Sequence, residues 1–426
     1  MNPVLSSAEA VLSAIGEPNA YGGNPPFWAD AMAARSPGIL PFLDLSTLAS
    51  RREAAGLPED RDALLADMAT QVAGDPALST FAWYLHWRVF VAPENGVPWG
   101  IPMLIDRLGD RGGTFYLLLS LEFPSRLAAW HRRLGYPSVI AATLQQISCF
   151  EANHIRGRGR PGMYGIQYAW LASYLVDPYV RLGRFEFQLH AYVGGVCVWR
   201  READGQVLAL AEQGVRVDDK GQLLNKTAPP EAGWTASLEE TSEAVTGFPV
   251  DPGGHIIRKP VRLDRAAWKP CLHKGMNVLD LHIPPGGGMT WEAFTDSICQ
   301  ALEFFARYHA DRPFAALTCN TWFLDPQLAD LLPPDANPLR LQRAVYLYPI
   351  GWDAGGLWFV FLCNTVNVDA ATLPRDTALQ RTLAAFLGAG GKWNCGGMFV
   401  AKEDLRHMRE GLYRDRFKAL RGEIGL

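Results

Sequence analysis

Two pairs of polar side chains near the middle of the chain have the types and the spacing for proton transfer. Glu186 and His190 lie on either side of Gln188 at the period of a strand, so both point to one face. Asp280 and His282 share a face of a second strand in the same way. Histidine and glutamate act as general bases, and a carboxylate can orient an imidazole. If the two faces coincide, the chain brings a base and an orienting carboxylate together.

Both candidate bases also have a purely structural interpretation. Glu186 could be a strand carboxylate paired with Arg184, and exposed ion pairs of that kind contribute little. His282 could be a histidine that forms hydrogen bonds near the edge of a sheet. Its position just before Pro284, where the strand must end, favours His282 as a site residue.

The second of these strands continues into a glycine loop and then a helix. Residues 277–283 (NVLDLHI) alternate as a half-buried strand does, and two prolines then end the ladder. Residues 286–288 are glycines, which leave backbone N–H groups open where the helix begins, with Thr290 as its expected N-cap. A helix N-terminus attracts anions, so a pyrophosphate could lie over this turn. The plainer interpretation is that the glycines only turn the chain.

A helix and a further strand are expected after the loop. A stripe of apolar residues at helical spacing must pack against a sheet. Its members are Phe294, Ile298, Ala301, Leu302 and Phe305. Residues 314–322 (FAALTCNTW) predict the next strand, with Cys319 and Asn320 near its end. An arrangement of Cys319 with His282 and Asp280 would make a thiol nucleophile, but a lone cysteine is usually buried and inert.

The hydrophobic period changes along the chain and predicts two domains, residues 1–176 and 177–426. The first is mostly helical in pattern, and beyond residue 181 the period becomes two. Residues 195–200 and 206–210 are expected to pair with the strand around residue 188 as a meander. Residues 356–363 are apolar on both faces, which predicts a central strand, and residues 235–244 are expected to form a short helix. The fold class is therefore α+β.

Composition narrows the function classes. The chain has 426 residues, 48% hydrophobic and 20% charged, and a net charge of −4, which argues against a nucleic-acid partner. The first 20 residues lack the pattern of a signal peptide, and we expect no membrane span. Seven scattered cysteines without CxxC spacing predict reduced thiols in a cytoplasmic protein, with neither disulfides nor a metal site.

Several motifs resemble a bacterial acyltransferase family that has a helical N-terminal domain and a GNAT-like C-terminal domain. The resemblance covers about residues 140 to 350 and rests on three groups of residues: YAWLA at 168–172 with RLGRFEF at 181–187, LHIP at 281–284 with Gly287 and two phenylalanines at 304 and 305, and WFLDP at 322–326 with LLP at 331–333. It implies a GNAT-like mixed sheet flanked by helices.

The resemblance also implies a site for acyl-CoA as co-substrate. Acyl-CoA would lie between the strands at 277–283 and 314–322, with its pyrophosphate on the glycine loop. The cofactor-binding residues implied are Ile283, Gly286, Gly287, Gly288 and Asn320. The loop departs from the usual GNAT pattern because it contains no basic residue, and Glu292 in the first helical turn would repel a phosphate.

Two functions lead on the sequence, and a cysteine-dependent transferase or hydrolase that uses Cys319 is a third possibility. The first is N-acyl transfer from acyl-CoA to an amine of a small metabolite, with Glu186 or His282 as base and Asp280 beside it. The second is a non-catalytic GNAT-like protein that binds another small molecule or mediates assembly. The missing basic residue in the loop favours the second. Neither the acceptor nor the oligomeric state can be predicted from the chain.

Overall fold

The computed structural model describes residues 7–36, 38, 40–138, 140–225, 228–229, 231–351, 354–363, 365 and 368–426. It divides into two compact units. The first contains the residues up to Glu186 and the short segment Ile283–Gly286. The second contains Phe187–His282 and Gly287–Leu426. The predicted boundary between residues 176 and 177 stays a prediction.

The first unit is helical up to its last strand. Its α-helices are α1 (Ala8–Ala14), α2 (Trp28–Ala33), α3 (Leu48–Ala54), α4 (Asp62–Gly74), α5 (Pro76–His86), α6 (Ile105–Leu108), α7 (Gly112–Ser120), α8 (Phe123–Arg133), α9 (Ala141–Arg158) and α10 (Gly165–Trp170). A π-helix, Trp87–Val91, continues α5. Short 3-10 helices are Ala20–Gly23, Pro41–Leu43, Leu45–Thr47, Glu59–Arg61, Pro93–Asn95, Gly109–Arg111 and Leu171–Leu175. Strand β1 (Tyr179–Leu182) is the last complete element of the first unit.

Local signals explain where these helices begin and which of them lie at the centre. Asp75 caps α5 by accepting hydrogen bonds from two backbone N–H groups, and Pro76 occupies the first helical position. Helix α7 is apolar on nearly all sides, so burial of its whole surface is expected. Its side chains pack with those of α4, α5 and α10 in one core that includes Phe81, Phe115 and Tyr168.

The second unit is built on mixed sheets. Its strands are β2 (Phe185–Ala191, which begins in the first unit), β3 (Val196–Arg201), β4 (Val207–Ala211), β5 (Arg216–Val217), β6 (Trp234–Thr235), β7 (Leu238–Glu240), β8 (Ala244–Gly247), β9 (Pro249–Asp251), β10 (His255–Ile256), β11 (Val261–Asp264), β12 (Trp268–Leu272), β13 (Asn277–His282), β14 (Ala316–Thr321), β15 (Tyr346–Ile350) and β16 (Cys395–Ala401). Its helices are α11 (Trp291–Tyr308), α12 (Leu328–Leu331), α13 (Asn337–Ala344), α14 (Trp358–Phe361), α15 (Ala378–Gly388) and α16 (Leu412–Glu423), with 3-10 turns at Trp322–Leu324, Ala354–Leu357, Ala370–Thr372 and Lys402–His407.

From β2 the largest sheet continues in the order β2-β13-β14-β16-β15. Strands β13 and β14 are parallel, whereas β16 is antiparallel to both of its neighbours. A second sheet has the order β10-β9-β4-β3-β12, and smaller ones join β11-β8-β7 and β5-β6. Helices before mixed sheets confirm the predicted α+β class.

The segment around the glycine loop folds as predicted. Strands β13 and β14 match the expected strands to within two residues. Thr290 caps α11 by accepting a hydrogen bond from the backbone of Ala293. The helix buries the expected stripe, including Phe294, Ile298 and Phe305, so its apolar face is covered.

Two predicted elements are wrong in type. Residues 356–363, expected as a central strand, instead form the end of the 3-10 turn Ala354–Leu357 and helix α14. A short apolar run is compatible with either a buried strand or a buried helix, so periodicity could not decide between them. Residues 235–244, expected as a helix, instead contain the end of β6, all of β7 and the start of β8.

The predicted meander is wrong in its pairing. Strands β3 and β4 do form next to one another, with Val198 opposite Ala209. They belong, however, to the sheet that contains β9 and β12, and β2 is not a member of that sheet. Alternation of apolar residues shows that a segment is a strand but does not specify its partner.

Candidate active site

In the second unit, the strand face that carries His190 meets the face that carries Asp280 and His282. Asp280 on β13 lies between two histidines, with its Oδ2 atom 3.3 Å from Nε2 of His282 and 3.7 Å from Nε2 of His190 on β2. On its other oxygen, Oδ1, it accepts a hydrogen bond of 2.7 Å from the hydroxyl of Thr318 on β14. Three adjacent strands therefore hold one carboxylate and two imidazoles in place.

The electrostatics of this cluster suit a neutral histidine beside an ionised carboxylate. Burial raises the pKa of Asp280, but the hydrogen bond from His190, the charge of His282 and the Thr318 hydroxyl together bring it below its ordinary value. Burial lowers the pKa of His282, and His190 lowers it further, while Asp280 acts in the opposite direction. At neutral pH, His282 can therefore accept a proton, as a general base must.

The parallel pairing of β13 and β14 ends within this cluster. In the described strands, the last parallel pair is Asp280 with Thr318. Strand β14 stays paired with β16 beyond that point, as far as Thr321 opposite Gly396. The end of β14 therefore remains paired with β16 after its pairing with β13 has stopped.

Asn320 lies on this last part of β14, and a tyrosine orients its amide. Tyr348 on β15 donates a hydrogen bond of 3.0 Å to Oδ1 of Asn320. The Asn320 residue is exposed. Gly397 lies opposite both residues in the sheet, and a Cβ atom there would be 2.2 Å from Cε2 of Tyr348. Sequence reasoning missed Tyr348; the only signal was the glycine pair at 396 and 397, which lies inside β16.

The cysteine next to Thr318 is not available as a nucleophile. Cys319 is 3% exposed. Burial raises its pKa well above the ordinary value, and the nearby charge of Asp280 raises it further. The thiol therefore stays protonated at neutral pH, which agrees with the expectation of an inert cysteine.

Glu186 belongs to the first unit, where it is buried among tyrosines. It is 2% exposed, and its Oε2 atom accepts hydrogen bonds from the hydroxyls of Tyr174, at 2.8 Å, and Tyr179, at 3.5 Å. The two tyrosine rings stack with centroids 4.0 Å apart. Among the described residues, Oε1 of Glu186 has no hydrogen-bond partner. Burial raises the pKa of Glu186 to about 7, although both tyrosines and two nearby arginines act to lower it.

Arg184 and Glu186 interact electrostatically, and Arg184 also reaches the loop before the glycines. Nη1 of Arg184 donates a hydrogen bond of 2.8 Å to the carbonyl oxygen of Pro284, in the segment Ile283–Gly286 of the same unit. Sequence reasoning missed this contact because the two residues are 100 positions apart. A basic side chain therefore lies against the loop that has none of its own.

The glycine loop has the backbone conformation that its sequence suggests. Gly286 and Gly287 have φ values of 83° and 68°, in the left-handed region that favours glycine. A Cβ atom on Gly286 would meet nothing within 4 Å, whereas one on Gly288 would lie 3.6 Å from Cγ2 of Thr290. The conformation fits an anion-binding turn and also a simple change of direction, so the role of these glycines stays a prediction.

The predicted site residues thus fall into two groups. The second unit brings His282 and Asp280 together with His190 and has Asn320 on the neighbouring strand. Glu186 is in the first unit with Ile283 and Gly286. Within the described ranges, no cluster of three or more histidine, cysteine or acidic side chains is arranged to hold a metal ion.

Comparison with protein families defines the class of this chain. Residues 179–399 match the GNAT-like C-terminal domain, and residues 46–175 match the N-acyltransferase N-terminal domain. The chain belongs to the family that the GNAT-like C-terminal domain defines. The resemblance stated from the motifs is thereby confirmed, whereas a bacterial origin stays a prediction.

Solved structures share the fold over almost the whole length. An acyltransferase mutant in complex with octanoyl-CoA is 20% identical, with a TM-score of 0.61 over 92% of this chain and 99% of that one. An acyltransferase in complex with decanoyl-CoA and teicoplanin is 21% identical, with a TM-score of 0.60 over 93% and 99%. A complex with CoA and 10C-teicoplanin is 20% identical, with a TM-score of 0.61 and the same coverage. No match was found among curated proteins. In the part of the chain that is described, no helix is long and apolar enough to cross a bilayer.

Proposed function

We propose that this protein transfers an acyl group from acyl-CoA to an amine of a small molecule. The observation that carries the proposal is the position of His282. It is neutral at neutral pH, lies 3.3 Å from the Asp280 carboxylate, and comes at the end of the strand that leads into the glycine loop. A base is the main requirement of this reaction, because a thioester needs no further activation once a neutral amine is present.

The proposed reaction begins with proton transfer from the ammonium group of the acceptor to Nδ1 of His282, the ring nitrogen that does not face Asp280. The free amine then attacks the thioester carbonyl, a C–N bond forms, and the C–S bond breaks to release the thiolate of CoA. The proton on His282 passes to that thiolate, and the attacking nitrogen releases its second proton to solvent as the amide forms. Asp280 stabilises the imidazolium in the interval, as a neighbouring carboxylate does in other histidine-based sites.

The co-substrate would be held mainly by backbone groups. In the second unit, Asn320 would bind its pantetheine arm along β14, and the amides of Gly287 and Gly288 would bind its pyrophosphate. The relatives were solved with octanoyl-CoA and decanoyl-CoA, which supports an acyl chain of that class for this protein. Teicoplanin is present in two of the complexes, which makes it the first acceptor to test.

Glu186 remains the other candidate base. Its pKa of about 7 would let it accept a proton near neutral pH. His282 is preferred because a carboxylate already orients it, whereas Glu186 is 2% exposed and accepts hydrogen bonds from two tyrosines. In a pH–rate series, His282→Gln should remove turnover at every pH, and Glu186→Gln should leave a measurable rate if this preference is right.

Calorimetric titration with acetyl-CoA, octanoyl-CoA and decanoyl-CoA tests the proposal directly. We expect saturable binding that Gly287→Asp abolishes, because the new carboxylate would repel the phosphates. The control is Gly275→Asp, at another glycine of positive φ; a Cβ atom on Gly275 would meet nothing within 4 Å. Absence of binding at millimolar ligand would favour the alternative, a non-catalytic GNAT-like protein. Binding without transfer to any amine would also favour it.

A further inference from the structure

Two glycines make room for the ring of Tyr348. A Cβ atom on Gly195, directly before β3, would lie 2.8 Å from Cε2 of Tyr348, and one on Gly397 would lie 2.2 Å from the same atom. Any larger residue at either position would have to displace the ring, which is fully buried. Close packing on these sides therefore holds the Tyr348 hydroxyl in one place.

The hydrogen bonds that join this hydroxyl to its neighbours run in one direction. The backbone N–H of Val196 donates to the hydroxyl oxygen of Tyr192 at 3.3 Å. Tyr192 is hydrogen-bonded in turn to Tyr348, which donates to Oδ1 of Asn320 at 3.0 Å. A backbone N–H can only donate, and each hydroxyl has a single proton, so every proton in this row points toward Asn320. The amide of Asn320 is thereby oriented with its oxygen on Tyr348 and its NH2 group directed away from it.

The oriented amide shares a face of the largest sheet with the proposed base. Asp280 and Thr318 are the last parallel pair of β13 and β14, and their side chains form a hydrogen bond across it. His282 and Asn320 each come two residues later, so the period of a strand places both on that same face. Asn320 is exposed. A base and a pair of N–H donors therefore lie on one face, where the pairing of their strands has ended.

We propose that Asn320 donates a hydrogen bond from Nδ2 to the thioester carbonyl oxygen of bound acyl-CoA, and that Tyr348 and Tyr192 hold the amide in the orientation required. When the amine attacks, the carbonyl oxygen gains negative charge, and this charge leaves again as the C–S bond breaks. Asn320 neither gains nor loses a proton. A donor that is fixed before the reaction stabilises such a charge without having to reorient. The inference rests on the proposed function, to which it adds a residue that contacts the reacting atoms.

Infrared spectroscopy of bound decanoyl-CoA, isotope-labelled at its carbonyl carbon, tests the contact without an acceptor. A hydrogen bond weakens the C=O bond, so the carbonyl stretching frequency should be lower in the wild-type complex than in the Asn320→Ala complex. Tyr348→Phe should give a frequency between the two, because the amide then loses its fixed orientation. The matched control is Tyr346→Phe, on the same strand, whose hydroxyl donates to the carbonyl oxygen of Val250 instead. Its spectrum should match that of the wild type.

Kinetics with decanoyl-CoA and teicoplanin separate a catalytic role from binding of the pantetheine arm. Asn320→Ala should lower kcat about 100-fold, as loss of one oxyanion donor does, and change the Kd of decanoyl-CoA less than about threefold. Tyr348→Phe should lower kcat about 10-fold through the loss of one hydrogen bond, whereas Tyr346→Phe should keep the wild-type value. A raised KM at unchanged kcat in Asn320→Ala would show that the residue only binds the arm, and the inference would be wrong.

The two measurements distinguish failure of the inference from failure of the proposed function. An equal carbonyl frequency in the wild type and Asn320→Ala overturns the inference, while measured acyl transfer keeps the proposed function. A lowered frequency without transfer to any amine supports the contact and refutes the function. If the wild type binds no acyl-CoA, both fail together. Should Asn320→Ala not fold, Asn320→Asp takes its place, because it keeps an acceptor for Tyr348 and has no N–H to donate.

Discussion

Substitution of Glu186 by glutamine should change how the stability of the protein depends on pH. The carboxyl is buried, one oxygen accepts hydrogen bonds from two tyrosines, and its pKa is raised from 4.5 to about 7. Because the pKa in the folded state is the higher one, the folded state holds the proton more tightly than the unfolded chain does. That stabilisation is complete below about pH 4.5 and is lost as the pH rises through about 7.

The size of the effect follows from the shift. The rise of the pKa from 4.5 to about 7, at about 1.4 kcal/mol per pKa unit, gives a limit of about 3 kcal/mol, most of which falls between about pH 5 and about pH 8.5. Glutamine cannot ionise and can still accept the hydrogen bond of Tyr174. The stability of Glu186→Gln relative to the wild type should therefore rise by about that amount between these two pH values.

Denaturant unfolding of both proteins at about pH 5 and about pH 8.5 measures the difference. Glu94→Gln, at an exposed glutamate of the first unit, is the control and should follow the wild type at both pH values. A relative stability of Glu186→Gln that stays constant within about 0.5 kcal/mol would show that the carboxyl does not hold its proton in the folded state, and the reasoning would be refuted.

Three further predictions concern the second unit. Asp280→Asn should lower the pKa of His282, because the carboxylate that is removed favours the imidazolium. A histidine NMR titration measures the change, and a rise of this pKa would show that Asp280 does not stabilise the imidazolium. Cys319 should resist iodoacetamide at neutral pH under conditions in which the exposed Cys299 reacts, and equal labelling by mass spectrometry would disprove its burial. Gly397→Ala should destabilise the protein by about 2 kcal/mol or more, because the new methyl group would overlap a tyrosine ring at 2.2 Å; an unchanged melting temperature would show that the ring can move away.

Features that depend on neighbouring residues were predictable from the sequence. The cap at Thr290, the buried stripe of α11 and the strands β13 and β14 all follow from spacing within a few residues. The shared face of Asp280 and His282 follows from the period of a strand, and it is the part of the site that the structure reproduces. These signals are local, so they can be read from short stretches of the sequence.

Features that depend on distant residues were not predictable in this way. The contact of Arg184 with Pro284 joins segments 100 positions apart, and Tyr348 reaches Asn320 from a different strand. The burial of Glu186 arises from tyrosines on a preceding turn and strand, although its alternating pattern suggested a solvated carboxylate. The prediction for residues 356–363 was wrong for another reason: apolar residues alone do not distinguish a buried helix from a buried strand.

The point where the parallel register stops has a consequence for how the sequence can change. Beyond Thr318, strand β14 is paired with β16 as far as Thr321, and its opposite edge is made of peptide groups. If a ligand completes the ladder along that edge, it contacts atoms that every residue except proline carries. Substitution of the side chains there then leaves the contacts with the shared part of a ligand intact. Mutation would instead alter only what those side chains face, so selectivity for one part of a ligand can change while the backbone contacts with another part stay the same.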